Sequence, residues 1–197
     1  MVKKDVSVLI LAAGESKRMK TQKAFLAFDK NRTFFDKILE TYISWGCIQM
    51  VAVINKQFKE YANWEKKHIP QLTFVTNDHL EYERFYSVKI GLNAMKETDF
   101  CFLQNIDNPF INSQLLDQLY LHRSEDTHVV PVYGDQGGHP VLLNNKSIIH
   151  LKAHPENRAN LKNVLGELNS KRLLVKDKSI LININNPEDY RKLVEVK

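Results

Sequence analysis

Residues 6–14 read Val-Ser-Val-Leu-Ile-Leu-Ala-Ala-Gly, and this stretch decides the fold. The apolar run over 6–11 predicts a strand buried on both faces, as in a parallel sheet covered by helices. The alanines and Gly14 then leave the backbone without side-chain bulk, so N–H groups there can approach a ligand closely. The next residues supply four cations, Lys17, Arg18, Lys20 and Lys23. The pattern favours a phosphate-binding turn, and an ordinary strand-to-helix turn with a solvated basic loop is the alternative.

Strand and helix patterns alternate downstream of this turn. They predict strands at 48–54, 72–76 and 99–103, and helices at 34–45, 58–67, 84–95 and 112–122. Thr33 and Gly46 are suited to begin and end the first of these helices. The alternation predicts a doubly wound α/β fold, in which a mixed, mostly parallel sheet is flanked by helices. The ligand of such a sheet binds over the carboxyl ends of the strands.

The regular alternation of strand and helix patterns ends at about residue 124. The patterns there predict strands at 127–133, 140–143, 171–175 and 179–184, with helices at 147–153, 161–168 and 187–194. No linker or internal repeat divides the chain, so we expect a single domain over residues 1–197.

Composition excludes several classes of protein. The 197 residues are 43% hydrophobic and 26% charged, which indicates a folded globular chain. The net charge of +5 is spread without a basic block interleaved with aromatics, so we expect no nucleic-acid partner. No apolar stretch is long enough to span a membrane, and we expect no membrane partner. Cys47 and Cys101 have apolar neighbours, which indicates core cysteines in a reducing compartment and a cytoplasmic location.

Two polar stretches follow predicted strands and offer oxygen ligands. Asp107 lies just beyond the strand at 99–103, and Mg²⁺ takes one or two protein carboxylates together with phosphates and water. An Asp-Asn-Pro turn is the alternative there. Asn185 follows the predicted strand at 179–184 and offers a weaker amide oxygen, whereas Asn186 is a candidate helix cap.

A third stretch, Gly137-Gly138-His139-Pro140, predicts a tight backbone whose amides can bind a second substrate. A structural turn carrying a solvated histidine is the alternative. Because no neighbouring residue pairs with His139 in the sequence, we do not expect it to act as a general base.

The basic loop is suited to attack on the α-phosphate of a nucleoside triphosphate. Such a reaction develops charge on the phosphoryl oxygens and on the leaving pyrophosphate, where an arginine fork and a lysine stabilise it. We assign Arg18 to the β- and γ-phosphates and Lys23 to the α-phosphate.

The stretch Leu11-Ala12-Ala13-Gly14-Glu15-Ser16-Lys17-Arg18-Met19, followed by Lys23, resembles the signature of nucleotidyltransferases with a Rossmann-like sheet of the nucleotide-diphospho-sugar transferase type. That superfamily includes molybdenum-cofactor guanylyl- and cytidylyltransferases, methylerythritol-phosphate cytidylyltransferase and sugar-phosphate nucleotidylyltransferases. Further stretches resemble its motifs around Ser87, Asp107, Gly138-His139-Pro140 and residues 184–189. The third of these is typical of the molybdopterin cytidylyltransferase branch.

The resemblance implies Mg²⁺-dependent transfer of a nucleoside monophosphate, from CTP in preference to GTP, to a phosphorylated acceptor with release of pyrophosphate. It assigns catalysis to Arg18 and Lys23, and metal binding to Asp107 and Asn185. It assigns the acceptor to Gly138, His139 and Pro140. The nucleotide is assigned to Leu11, Ala12, Ala13, Gly14, Glu15, Ser16, Arg18, Lys23 and Ser87.

Four departures from the family pattern keep alternatives open. Lys20 and Asn105 replace glycines, Gln22 replaces proline, and Asn185 replaces an aspartate. Arg84, three residues before Ser87, is similar to an arginine of the methylerythritol branch and favours a cytidylyltransferase or sugar-phosphate nucleotidylyltransferase for a small phosphorylated acceptor. Asn185 favours a non-catalytic nucleotide-binding accessory protein, because an amide binds Mg²⁺ more weakly than a carboxylate.

Overall fold

The strands of this computed structural model, which describes residues 6–61 and 69–195, form one mixed sheet. They are β1 (Val6–Ala12), β2 (Gln49–Ile54), β3 (Leu72–Thr76), β4 (Phe100–Asn105), β5 (His128–Tyr133), β6 (Gln136–Gly137), β7 (Val141–Asn144) and β8 (Ser170–Leu174). The order is β3-β2-β1-β4-β7-β5-β6, and β8 pairs with β5. The first four strands run parallel, β7 is antiparallel to β4 and β5, and β8 is parallel to β5.

The helices of the described residues cover both faces of this sheet. They are α1 (Phe34–Trp45), α2 (Lys56–Tyr61), α3 (Glu83–Asn93), α4 (Ser113–Leu121), α5 (Asn145–Ala153), α6 (Leu161–Gly166) and α7 (Pro187–Glu195). Short 3-10 turns lie at Lys23–Phe25, Leu80–Tyr82 and Lys178–Leu181. None of the helices in 6–61 and 69–195 combines the length and apolar character needed to cross a membrane.

Successive side chains of β1 point into two separate cores, as a strand buried on both faces requires. Val8 and Ile10 join the cluster that contains α1 and α4 side chains. Leu9 and Leu11 join the cluster that contains α3, α5 and α6 side chains. The predicted doubly wound α/β fold, with its mixed and mostly parallel sheet, is therefore confirmed.

Most of the predicted elements match the observed ones to within a few residues. Thr33 and Gly46 bound α1 as predicted, since Thr33 forms a capping box with Asp36 and Gly46 is left-handed with φ 99°. The helix predicted at 58–67 begins earlier, at Lys56, and positions 62–67 of that prediction lie outside the described residues. Cys47 and Cys101 are buried, as predicted for core cysteines.

The strand predicted at 179–184 is wrong. Residues Lys178–Leu181 form a 3-10 turn instead, capped by the Asp177 carboxylate, which accepts from the Ser179 N–H at 2.9 Å. Ile180 and Ile184 are buried in two different clusters. The alternation of apolar and polar residues that suggested a strand therefore arises because an irregular segment buries Ile180 and Ile184. This segment forms no hydrogen-bonded ladder with any strand of the described chain.

Candidate active site

A cleft of about 430 Å³ opens at the carboxyl ends of β1 and β4, where a parallel sheet places its ligand. Its walls are the loop after β1, the first turns of α3 and the residues that follow β4. All the residues assigned to the nucleotide and both assigned to the metal line it, namely Leu11, Ala12, Ala13, Gly14, Glu15, Ser16, Arg18, Lys23, Ser87, Asp107 and Asn185. The fold thus brings segments from distant parts of the sequence to one cleft.

The loop after β1 is closed on itself by Ser16. The Ser16 carbonyl accepts from the Met19 N–H at 2.8 Å, and its hydroxyl accepts from the Lys23 N–H at 3.2 Å. Ser16 and Lys20 are left-handed, with φ 51° and 55°. The glycine that the family resemblance leads one to expect at Lys20 suits this conformation, because glycine adopts it without steric cost. Gln22 has φ −60°, which suits proline as well as glutamine.

Two asparagines that the sequence analysis missed hold the cleft in shape. Asn55, directly after β2, donates to the carbonyls of Ala13 at 3.0 Å and Gly14 at 3.3 Å. Asn77, directly after β3, donates to the Ser87 hydroxyl at 2.9 Å. Both side chains are buried. Their positions just past strand ends were the available signal, since parallel strands end at one edge of the sheet, but an ordinary turn asparagine has the same position.

Lys23, Asp107 and Asn185 meet at the floor of the cleft. The Lys23 Nζ lies 3.2 Å from Asp107 Oδ2 and 2.9 Å from Asn185 Oδ1. The backbone brings the last two together, because the Ile184 N–H donates to the Asp107 carbonyl at 2.8 Å. Ile184 also packs in a small cluster with Met19 of the basic loop, so one apolar contact supports both sides of the floor.

Asn186 has the capping role that the sequence analysis considered for it. Its side-chain oxygen accepts from the backbone N–H groups of Glu188 and Asp189, each at 2.9 Å, at the start of α7. The Asp189 carboxylate in turn accepts from the Asn185 N–H at 2.8 Å. This reciprocal cap fixes the backbone of Asn185 while its side chain contacts Lys23.

The floor of the cleft has the donor atoms that a hard divalent cation needs. Asp107 Oδ1 is buried and accepts no hydrogen bond from the described residues, which leaves a carboxylate oxygen available. Asn185 adds an amide oxygen close by. No group of three or more His, Cys, Asp or Glu residues in the described chain forms a complete metal cage. A cation such as Mg²⁺ therefore fits here with substrate phosphates and water completing its shell.

Arg84 also lines the cleft, although the sequence analysis gave it no site role. Its Nη2 donates to Asn105 Oδ1 at 2.7 Å. Desolvation by the surrounding protein lowers the pKa of the guanidinium, and the nearby Asp107 carboxylate raises it. Arginine remains charged at physiological pH despite such shifts. Its position three residues before Ser87 was the available signal.

Gly138, His139 and Pro140 lie beside the cleft and are absent from its lining. The turn is held by two hydrogen bonds, from the Gly138 N–H to the Pro131 carbonyl and from the His139 N–H to the Ile180 carbonyl. A Cβ on Gly138 would lie 2.6 Å from the Ile180 oxygen, so the close approach requires glycine. Desolvation, with repulsion from Arg84, lowers the pKa of His139 to about 4. The contacts give this turn a structural role.

Several solved structures have similar folds, among them three from Mycobacterium tuberculosis, Anaerococcus prevotii and Archaeoglobus fulgidus. Rv0371C of Mycobacterium tuberculosis H37Rv, solved in complex with manganese, is 18% identical, with 98% of this chain and 100% of that chain covered and a TM-score of 0.76. The 4-diphosphocytidyl-2C-methyl-D-erythritol synthase of Anaerococcus prevotii is 16% identical, with 98% of this chain and 96% of that chain covered and a TM-score of 0.74. Molybdopterin-guanine dinucleotide biosynthesis protein A of Archaeoglobus fulgidus is 19% identical, with 96% of this chain and 97% of that chain covered and a TM-score of 0.72.

At these identities the structural likeness concerns the fold. No curated protein sequence matches the chain. Residues 8–172, however, match the family described as MobA-like NTP transferase domain, and that segment contains the basic loop, Ser87, Asp107 and the turn at His139. The chain therefore belongs to the MobA-like NTP transferase family and is a nucleotidyltransferase.

Proposed function

We propose that the protein transfers a nucleoside monophosphate from a nucleoside triphosphate, preferentially CTP, to a phosphorylated small-molecule acceptor in the presence of Mg²⁺, with release of pyrophosphate. The observation that carries the proposal is the convergence of Lys23, Asp107 and Asn185 under the glycine-containing loop. In this arrangement Lys23 is a cation suited to phosphate, Asp107 and Asn185 are oxygen ligands suited to a metal, and the loop leaves its backbone open to a nucleotide.

The reaction needs positioning and charge stabilisation, with no covalent enzyme intermediate. An oxygen of the acceptor phosphate attacks the α-phosphorus in line, the bond from that phosphorus to the bridging oxygen of the β-phosphate breaks, and its electron pair leaves with pyrophosphate. Lys23 stabilises charge on the α-phosphate, and Arg18 on the β- and γ-phosphates. Mg²⁺, when bound by Asp107 and Asn185, neutralises phosphate charge. Asn55 and Asn77 keep the loop and Ser87 in place.

We base the choice of CTP and of a molybdopterin-like acceptor on the resemblance of Gly138, His139 and Pro140 to the molybdopterin cytidylyltransferase branch. A second candidate is transfer to a smaller phosphorylated acceptor such as a sugar phosphate. The location of Arg84 in the cleft favours this candidate, because a guanidinium there can bind a compact phosphate group.

Pyrophosphate release tests the proposal directly. The four common nucleoside triphosphates are each incubated with Mg²⁺ and a panel of phosphorylated acceptors, including molybdopterin and several sugar phosphates. We expect release with one acceptor, fastest with CTP, and none for Asp107→Ala. Preference for another triphosphate would overturn the assignment of the base. Absence of release for every pair would support a non-catalytic nucleotide-binding accessory protein instead.

A further inference from the structure

Arg84 is held in the cleft by a residue that is unusual for the family pattern. Asn105, the last residue of β4, is buried, and its Oδ1 accepts from Arg84 Nη2 at 2.7 Å. The family resemblance leads one to expect glycine at this position, and glycine has no side-chain acceptor. The link therefore joins the end of a central strand to the first turn of α3.

The charge of Arg84 has no carboxylate partner within residues 6–61 and 69–195. No Asp or Glu oxygen of that part of the chain lies within 4.0 Å of its guanidinium. Lys17 and Lys23, by contrast, pair with Glu15 and Asp107 at 2.9 and 3.2 Å. By its accessible surface Arg84 is exposed at the wall of the cleft, so an anion that enters the cleft can reach its guanidinium. The remaining N–H groups of the guanidinium are suited to phosphate oxygens.

The location of Arg84 separates it from the cations already assigned. Arg18 and Lys23 belong to the loop after β1, whereas Arg84 belongs to α3. Ser87, one turn further along α3, also lines the cleft. The cleft thus has basic groups on two walls, and both walls are close to Asp107. This carboxylate pairs with Lys23 on one wall, and on the other it partly offsets the desolvation that lowers the pKa of Arg84.

We propose that Arg84 forms a second phosphate-binding subsite of the cleft, and that Asn105 is the positioning residue that holds it there. The long arginine side chain has many rotamers, and a fixed hydrogen bond reduces the entropy lost when phosphate binds. This inference rests on the proposed function for the presence of phosphorylated substrates. The bound phosphate comes from the triphosphate or from the acceptor, and the experiment distinguishes these sources.

Calorimetric titration of the purified full chain with CMP, CDP, CTP and inorganic phosphate, all with Mg²⁺, tests the subsite. We expect Arg84→Gln to weaken at least one probe about tenfold or more, as for loss of a charge-assisted hydrogen bond. A loss that grows from CMP to CTP assigns the subsite to the triphosphate. A loss confined to inorganic phosphate assigns it to the acceptor. Unchanged affinities for all four probes, with an unchanged thermal midpoint, would overturn the proposal.

A double-mutant cycle tests the role of Asn105. Asn105→Ala should weaken the same probe severalfold, and the double variant should bind as weakly as Arg84→Gln alone, because Asn105 acts through the guanidinium. Additive losses would show that Asn105 has no positioning role. Arg84→Lys keeps the charge and serves if the glutamine variant fails to fold. Because lysine lacks the planar guanidinium, we expect a smaller loss of affinity in it, and unchanged affinity would show that phosphate does not use the remaining guanidinium N–H groups. None of these measurements needs turnover, so missing pyrophosphate release with intact phosphate binding would refute only the proposed function.

Discussion

At the scale of single residues, Lys23 joins two distant segments of the chain in the cleft. It is hydrogen-bonded to the side chains of Asp107 and Asn185, which lie 84 and 162 positions away in the sequence. Its side chain is 13% exposed, so its charge is only weakly screened by water. In the proposed function, a lysine placed in this way holds Asp107 and Asn185 together before substrate arrives and then contributes charge to the transition state.

The first prediction concerns that lysine. Lys23→Ala should lower kcat for pyrophosphate release by about 10²–10³, because removal of one preorganised donor from a reacting oxyanion has an effect of this size. Circular dichroism should show an unchanged fold. Lys20→Ala is the matched control, since Lys20 belongs to the same loop but does not line the cleft. A near-normal rate in Lys23→Ala would refute its assigned role.

A second prediction concerns Asn185. Replacement by aspartate adds a carboxylate of almost the same shape beside Asp107 and Lys23. One more negative charge at contact distance should lower the Mg²⁺ concentration for half-maximal activity by about tenfold. Asn183→Asp, in the same segment but outside the cleft lining, serves as the control. If kcat also rises strongly, the natural protein is a weakened enzyme; an unchanged Mg²⁺ requirement would contradict Asn185 as a ligand.

The departure at Lys20 leads to a third prediction. Its left-handed backbone, with φ 55°, costs a non-glycine residue roughly 1–2 kcal/mol. Lys20→Gly should therefore raise the free energy of unfolding by about 0.5–1 kcal/mol, after the greater entropy of an unfolded glycine is subtracted. Urea denaturation measures this change. Lys17→Gly, at a position without positive φ, should lower stability, and equal effects of both variants would contradict the strain argument.

At the scale of secondary-structure elements, α3 connects the sheet to the cleft. It carries Arg84 and Ser87 at its first turns and packs on β1 and β2 through Gly91. A Cβ at Gly91 would lie 2.4 Å from a methyl carbon of Leu9 and 2.7 Å from one of Val53. Only a residue without a side chain lets the helix approach the strands this closely, and that approach sets the position of the cleft wall.

A fourth prediction follows from this contact. Gly91→Ala gains helix propensity of about 1 kcal/mol but overfills a closed core, which typically costs about 1–3 kcal/mol. We expect a net loss of about 1 kcal/mol in urea denaturation and weaker nucleotide binding because α3 shifts. Gly166→Ala in α6 is the control, since apart from its chain neighbours and the backbone of its own helix no atom of the described residues lies within 4 Å of the added methyl. Equal stability of the two variants would contradict the packing argument.

At the scale of the whole molecule, the buried His128 and the partly buried His139 make stability depend on pH. Desolvation lowers the pKa of His128, and the pKa of His139 is lowered to about 4. In the unfolded chain both return to about 6.5. Below that value the unfolded state binds more protons than the folded state, so stability falls as the pH falls toward the folded pKa.

A fifth prediction gives this effect a size. His139 alone should reduce the free energy of unfolding by up to about 2 kcal/mol between pH 7 and pH 5, a window above the ordinary range of the carboxylates. Urea denaturation without added metal measures the loss in the natural protein and in His139→Gln. The glutamine variant should lose clearly less over the same window, and an identical loss in both would contradict a neutral, partly buried His139.

Much of the site was predictable because its chemistry is local. The residues from Leu11 to Lys23 and Asp107 occur in short segments at strand ends, and strand ends are visible as the termini of apolar runs. Asn55 and Asn77 were missed because an asparagine after a strand is also an ordinary turn residue. Nothing local distinguishes one that supports a cleft from one that closes a turn.

The sequence by itself determined the sheet and its loop. The hydrophobic pattern of 6–12 requires burial on both faces, and the small residues after it leave the backbone open whatever surrounds them. Only the tertiary structure decided which polar side chains meet, namely Lys23 with Asn185 and Arg84 with Asn105. It also showed that the segment before Asn185 is irregular and not a strand. The physical reason is that burial pattern depends on each residue's own chemistry, whereas contacts across 162 or 21 positions depend on how every intervening element packs.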